Sequence, residues 1–105
     1  MGIIETPIFT KRIVGVLSDE EYKRLQIALI MNPEAGSIIP GGGGLRKLRW
    51  SYSGIGKRGG LRIIYYLSKE RESIYMLLPY KKSKQENLTR EQMKILAEYI
   101  KGGVL

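Results

Sequence analysis

Apolar residues recur along the chain with two different periods, and the change of period divides it into elements. Tyr22, Leu25, Ala28 and Leu29 are spaced as one face of a helix, which stops at Asn32-Pro33 because the residue before a proline is pushed out of the helical region. Ser18 to Glu21 has the form of a capping box, with Leu17 and Tyr22 at the flanking staple positions. Met93, Leu96, Ala97 and Ile100 repeat the helical spacing behind a second box, Thr89 to Gln92, stapled by Leu88 and Met93 and ended by Gly102-Gly103.

Between these helices the period is two. Leu45 to Trp50, Leu61 to Leu67 and Ser73 to Leu78 read as three strands, separated by Ser53 to Gly60 and by the polar turn Ser68 to Glu72. Short connections make them an antiparallel meander, entered through the loop Pro40 to Gly44. Ile3 and Ile4 open a short strand, and Thr6-Pro7 starts a piece running to Val16 that reads as a helix in preference to a continuing strand. The expected fold is α+β, a small antiparallel-rich sheet with N-terminal helices and a C-terminal helix. The helices are expected on one sheet face, leaving the other open.

With 105 residues, 43% hydrophobic and 27% charged, the chain is expected to form one soluble domain, residues 1–105. No apolar run approaches membrane-spanning length and no secretory signal pattern opens the chain, so a cytoplasmic location is expected. Cysteine and histidine are absent, which excludes disulfides and thiolate or imidazole metal sites and leaves Lys, Arg, Tyr, Ser or carboxylates for any catalysis. No metal or cofactor is expected.

The net charge is +8, and its distribution matters more than its size. Every acid lies at or before Glu34 or at or after Glu70, whereas Arg46, Lys47, Arg49, Lys57, Arg58, Arg62 and Lys69 fill the gap. Segregation of this kind makes a local positive field, so nucleic acid is the leading partner, ahead of an acidic protein segment or anionic lipid. Strand parity sends Lys47 and Arg49 to one face and Leu48 and Trp50 to the other, and the topology gathers Arg62, Lys82 and Lys84 near the two cations. Like charges packed together repel, an arrangement best explained by an anion among them. Tyr65, Tyr66, Tyr75 and Tyr80 add rings, some for packing and some available to stack on bases. The glycine clusters at 41–44 and 54–60 lack phosphate-loop spacing and a following helix, and read as plain loops.

Gly-Gly-Leu-Arg-Lys-Leu-Arg, Gly-Lys-Arg-Gly-Gly-Leu-Arg-Ile-Ile-Tyr-Tyr, Leu-Leu-Pro-Tyr-Lys-Lys and the Leu-Thr-x-x-Gln helix start, taken in order, resemble the RelE/HigB-like toxins of bacterial type II toxin–antitoxin systems. The resemblance covers roughly Ile8 to Ile100. It implies a microbial RNase-like fold and cleavage of mRNA in the ribosomal A site by attack of a ribose 2′-hydroxyl on the adjacent phosphate. It also implies ribosome, mRNA and 16S rRNA as partners, and neutralisation by a cognate antitoxin with a helix-turn-helix. Carried over by position, Lys47 and Arg49 match the paired basic residues of a strand, Arg62 the arginine of the next, and Lys82 the cation after the last.

The implied roles are Lys47 as base, its pKa lowered by neighbouring cations, Arg62 as transition-state stabiliser, and Lys82 or Lys84 as acid, with Arg49 clamping phosphate. Arg46, Lys57, Arg58, Tyr80 and Lys81 are the expected RNA contacts. The chain departs from RelE itself at Lys81, Ser83 and Leu88, where RelE carries glycine, arginine and a base-stacking tyrosine, and so resembles the HigB branch more closely. Two other readings use the same cations: a non-catalytic RNA- or DNA-binding module, and an interaction protein gripping an acidic antitoxin segment.

Overall fold

The structure, a computed structural model, describes residues 1–52 and 60–102. Its elements in chain order are β1 (Gly2–Glu5), α1 (Pro7–Ile13), α2 (Asp19–Met31), β2 (Ser37–Ile38), β3 (Leu45–Trp50), β4 (Leu61–Ser68), β5 (Ser73–Lys81) and α3 (Arg90–Lys101). The strands form one sheet ordered β1-β5-β4-β3-β2. β3, β4 and β5 are the expected antiparallel meander, β1 lies parallel to β5, and β2 pairs antiparallel with the outer side of β3. The architecture is α+β with N-terminal helices and a C-terminal helix, as the patterning implies. Strand β5 runs on through Pro79, where the sequence alone predicts its end. Beyond Met76 it has β4 alone as a described partner, and proline is tolerated at such an edge.

Local chemistry sets the helix ends. Ser18 Oγ accepts from the Glu21 amide at 3.1 Å, and both halves of the Thr89–Gln92 box are formed, at 3.0 and 3.1 Å. One expectation is overturned: the helices do not share a face. Phe9 and Ile13 of α1 and Leu25 and Leu29 of α2 pack with Leu61, Ile63, Tyr65, Ile74 and Met76 on one side of the sheet. Met93, Leu96 and Ile100 of α3 pack on the other side, against the cluster of Leu45, Ile64, Tyr75, Leu77, Leu78 and Tyr80. Both strand faces carry apolar residues, so neither can be left bare to water.

An irregularity in β5 fixes what the α3 side presents. β4 and β5 pair from Leu61↔Lys81 to Ile64↔Leu78 and resume at Tyr65↔Met76, which leaves Leu77 as an extra residue. Leu77 and Leu78 consequently lie on the same side, and Tyr80 follows them there in place of Pro79 or Lys81. Thr6 secures this bulge. Its Oγ1 donates to the Leu77 carbonyl at 2.9 Å and accepts from the Phe9 amide at 3.1 Å as N-cap of α1, while its own amide donates to the Met76 carbonyl at 3.0 Å.

The turn after α2 hangs on a buried phenol. Tyr65 accepts from the Gly36 amide at 2.8 Å and donates to the Pro33 carbonyl at 2.7 Å. Gly36 has no room for a side chain, since a Cβ there would stand 2.7 Å from Tyr65 Cε1. The next loop closes the β2–β3 hairpin through Ile39-to-Leu45 and Gly42-to-Ile39 backbone hydrogen bonds of 2.9 and 3.0 Å. At Gly44, φ is +107° and an added Cβ would meet the Tyr66 ring at 2.9 Å, so glycine is required there on both counts.

Three stability predictions follow from these contacts. Thr6→Ala is expected to lose about 1–2 kcal/mol in chemical denaturation, and Thr6→Ser to keep most of it, because the hydroxyl both caps α1 and satisfies the bulge. Tyr65→Phe strands the Gly36 amide and the Pro33 carbonyl, and is expected to cost about 1–3 kcal/mol in the same measurement. The Tyr22 phenol, which donates to Glu5 Oε2 at 2.5 Å, is pushed above its ordinary value of 10.0 by burial and then by that carboxylate. A raised folded-state pKa contributes stability that is present below the unfolded value and lost as pH rises above it. Stability should therefore fall on going above about pH 10, and less steeply in Tyr22→Phe.

Candidate nucleic-acid interface

Strand register lines up a transverse row of side chains on the α3 side of the sheet. Arg49 of β3 pairs with Arg62 of β4, which pairs with Tyr80 of β5. Direct cross-strand partners share a face and lie about 5 Å apart, so two guanidinium groups and a phenol are neighbours in sequence order across three strands. Lys47 stands in the next row, opposite Ile64, with Ser37 of β2 on its outer side. A groove of about 430 Å3 runs beside these rows, lined among others by Lys47, Arg49, Asn87, Leu88 and Met93. Lys47 Nζ donates to Asn87 Oδ1 at 3.3 Å, tying the strand to the segment that leads into α3.

Exposure grades along the row. Arg49 is exposed, Lys47 is half-buried, and Arg62 keeps only 7% of its surface. Among the described residues no carboxylate pairs with any of the three, and the described ion pair, Lys69–Glu34 at 2.9 Å, lies elsewhere. A buried guanidinium without a counter-ion is costly, because desolvation penalises the charge and nothing returns the loss. Gly60 beside it is favoured by its backbone, since φ there is +83° and a Cβ would stand 3.3 Å from the Trp50 carbonyl. Tyr80 is 5% exposed and its hydroxyl is buried with no hydrogen-bond partner among the described residues. Burial raises its pKa and the Arg62 charge draws it back down, which leaves a protonated phenol at neutral pH.

The other residues picked out in the sequence are distributed differently. Arg46 points to the opposite side of β3 and donates to the carbonyls of Gly36 at 2.7 Å and Glu34 at 3.3 Å, supporting the turn after α2. Lys81 pairs with Leu61 and so lies on the α1/α2 side; with Lys84 and Arg12 it lines a separate hollow of about 230 Å3. Lys82 is exposed in the turn after β5, where its amide donates to the Gly60 carbonyl at 3.2 Å. Lys57 and Arg58 lie outside the described residues. None of the four strand tyrosines offers a bare ring for a base: Tyr65, Tyr75 and Tyr80 are buried, and half-buried Tyr66 packs against Tyr75 with centroids 6.5 Å apart. Nothing in the sequence marks Asn87, since an asparagine ahead of a helix cap has no signature of its own.

Among the described residues no group of three or more carboxylates is placed to hold a metal ion, and no helix is long and apolar enough to cross a membrane. The arrangement suits an anion that binds by charge and hydrogen bonds, with Lys47 and Arg49 lining the groove and Arg62 buried beside Arg49.

No protein-family model matches the chain. Several solved structures share its fold, among them two that contain the E. coli toxin RelE. The intact E. coli RelBE toxin–antitoxin complex matches with a TM-score of 0.54 and 17% identity, over 73% of this chain and 90% of that one. A mutant of the E. coli toxin RelE in the free state matches with a TM-score of 0.58 and 17% identity, over 80% of this chain and 85% of that one. The α+β fold of this chain, a five-stranded sheet with three helices, is similar to that of RelE.

Proposed function

We propose that this protein is a ribosome-dependent mRNA endonuclease, the toxin of a toxin–antitoxin pair, of the HigB rather than the RelE branch. The observation that carries the reading is Arg62, buried to 7% exposure without an acidic partner among the described residues and flanked by Arg49 and Lys47. A solvated charged surface does not need a guanidinium inside the sheet. A phosphodiester does, because charge developing on its oxygens in the transition state is stabilised best by donors fixed in place before reaction.

In the reaction proposed, the ribose 2′-oxygen forms a bond to the adjacent phosphorus while the bond from phosphorus to the 5′-oxygen breaks. Lys47 takes the 2′ proton, Arg62 and Arg49 hold the non-bridging oxygens, and a lysine protonates the departing 5′-oxygen. Lys82 suits the last role better than Lys84, which lines the hollow on the α1/α2 side. The products are a 2′,3′-cyclic phosphate and a 5′-hydroxyl. Histidine is not needed for either proton transfer. The HigB assignment rests on Ser83 and Leu88, and the ribosome is proposed to supply the positioning that a site of few side chains lacks.

RelE is found with its antitoxin in one of the matched structures, and a protein antitoxin is proposed here by the same likeness. Gripping an acidic segment as the face's main task is disfavoured by the depth of Arg62, since a flexible tail is held as well by exposed cations. Retention of translation arrest by folded Arg62→Ala and Lys47→Ala variants would exclude nuclease chemistry on this face. The expected result in a translating extract is loss of mRNA cleavage by about 100-fold or more for Arg62→Ala, with naked RNA cut far more slowly than ribosome-bound mRNA by the parent protein.

A further inference from the structure

Tyr80 presents a contradiction that the fold alone does not resolve. Its ring belongs to the apolar cluster beneath α3, so it cannot serve as a platform for a base. Its hydroxyl is buried and unpartnered among the described residues, in contrast to that of Tyr65, which both accepts and donates. If packing were the whole purpose, phenylalanine would fill the same space without the desolvation penalty of an unpaired hydroxyl. The register puts this hydroxyl's residue directly opposite Arg62, whose charge also lacks a described partner. Two adjacent side chains, each over nine-tenths buried, therefore hold unused hydrogen-bond donors.

We propose that Tyr80 and Arg62 form one oxyanion subsite, in which the phenol donates a hydrogen bond to the same phosphate group that the guanidinium binds. Tyr80 is then a hydrogen-bonding residue rather than a stacking one. The ligand class is a phosphodiester, which offers two non-bridging oxygens to two neighbouring donors. Leu88 and Met93, both half-buried, pack on the cluster containing Tyr80 and also line the groove with Lys47 and Arg49. They border both the groove and the cluster that holds the phenol, as a cover, and α3, which carries Met93, contains no fully buried residue. A cover so lightly packed opens at small cost, which gives a phosphate entering the groove a way to the hydroxyl.

The subsite rests on the reading of this face as one that handles RNA phosphate, so binding and cleavage are tested apart. The parent protein, Tyr80→Phe and Tyr80→Leu are titrated with a 2′-deoxy trinucleotide, which cannot undergo 2′-hydroxyl attack, and with inorganic phosphate. Binding is followed through the Arg62 Nε–H signal in NMR spectra. Tyr80→Phe is expected to weaken trinucleotide binding about tenfold, the effect of one hydrogen bond to a charged group, and to leave stability unchanged or raised. Inorganic phosphate should compete with the trinucleotide in the parent protein and less effectively in Tyr80→Phe.

Unchanged binding by Tyr80→Phe, with loss confined to Tyr80→Leu, overturns the proposal in favour of a packing or stacking ring. A fall in stability of Tyr80→Phe matching that of Tyr65→Phe overturns it too, since the hydroxyl would then be bonded within the fold. If Tyr80→Phe binds more weakly while the parent protein cuts no mRNA in a translating extract, the subsite stands and the nuclease reading fails.

Discussion

The hydrogen bond from Thr6 to the Leu77 carbonyl holds the one irregularity on which the composition of the site depends. A bulge adds a residue to one strand, and every side chain beyond it changes sides. Without it, Pro79 would stand opposite Arg62, and Tyr80 would turn toward α1 and α2, opposite Leu61. With the bulge the line ends in a neutral donor, and Lys81 goes to the other side of the sheet. The residue that secures this arrangement is also the N-cap of α1, so the N-terminal segment fixes the parity of a strand to which it is joined only in space.

Burial on both sides of the sheet supplies the second constraint. The α1/α2 side and the α3 side each hold an apolar cluster, and the cations lie where the α3 cluster gives out, toward the ends of β3 and β4. Charge segregation along the chain is sharper than charge segregation in space. Arg46 and Lys69 are taken up by the turn after α2 and by Glu34, which leaves Lys47, Arg49 and Arg62 together on the α3 side. Depth separates them: Arg62 is buried between Arg49 and Tyr80, whereas Arg49 is exposed.

Much of the architecture was legible in the chain, because capping and strand alternation are local properties. Ser18, Thr89 and the Leu45 to Trp50 alternation marked their elements, and parity alone placed Lys47 and Arg49 on one face. What escaped depends on non-local pairing. The position of α3 on the second face follows from apolar residues at both parities of β4, a pattern present in Ile63, Ile64, Tyr65 and Tyr66 but overridden by the expectation of an open face. The bulge has no sequence mark, so Tyr80, Lys81 and Lys84 could not be assigned to sides. Two-residue β2 is defined by its partner β3 rather than by its own residues.

The central claim is that this cationic row acts on a phosphodiester through the neighbouring 2′-hydroxyl. Its most direct measurement is the chemistry of the RNA ends left after reaction in a translating extract, read by mass spectrometry of the fragments. A 2′,3′-cyclic phosphate upstream of each cut and a 5′-hydroxyl downstream are the expected ends. Fragments bearing a 3′-hydroxyl and a 5′-phosphate would contradict it, because water rather than the ribose would then have attacked.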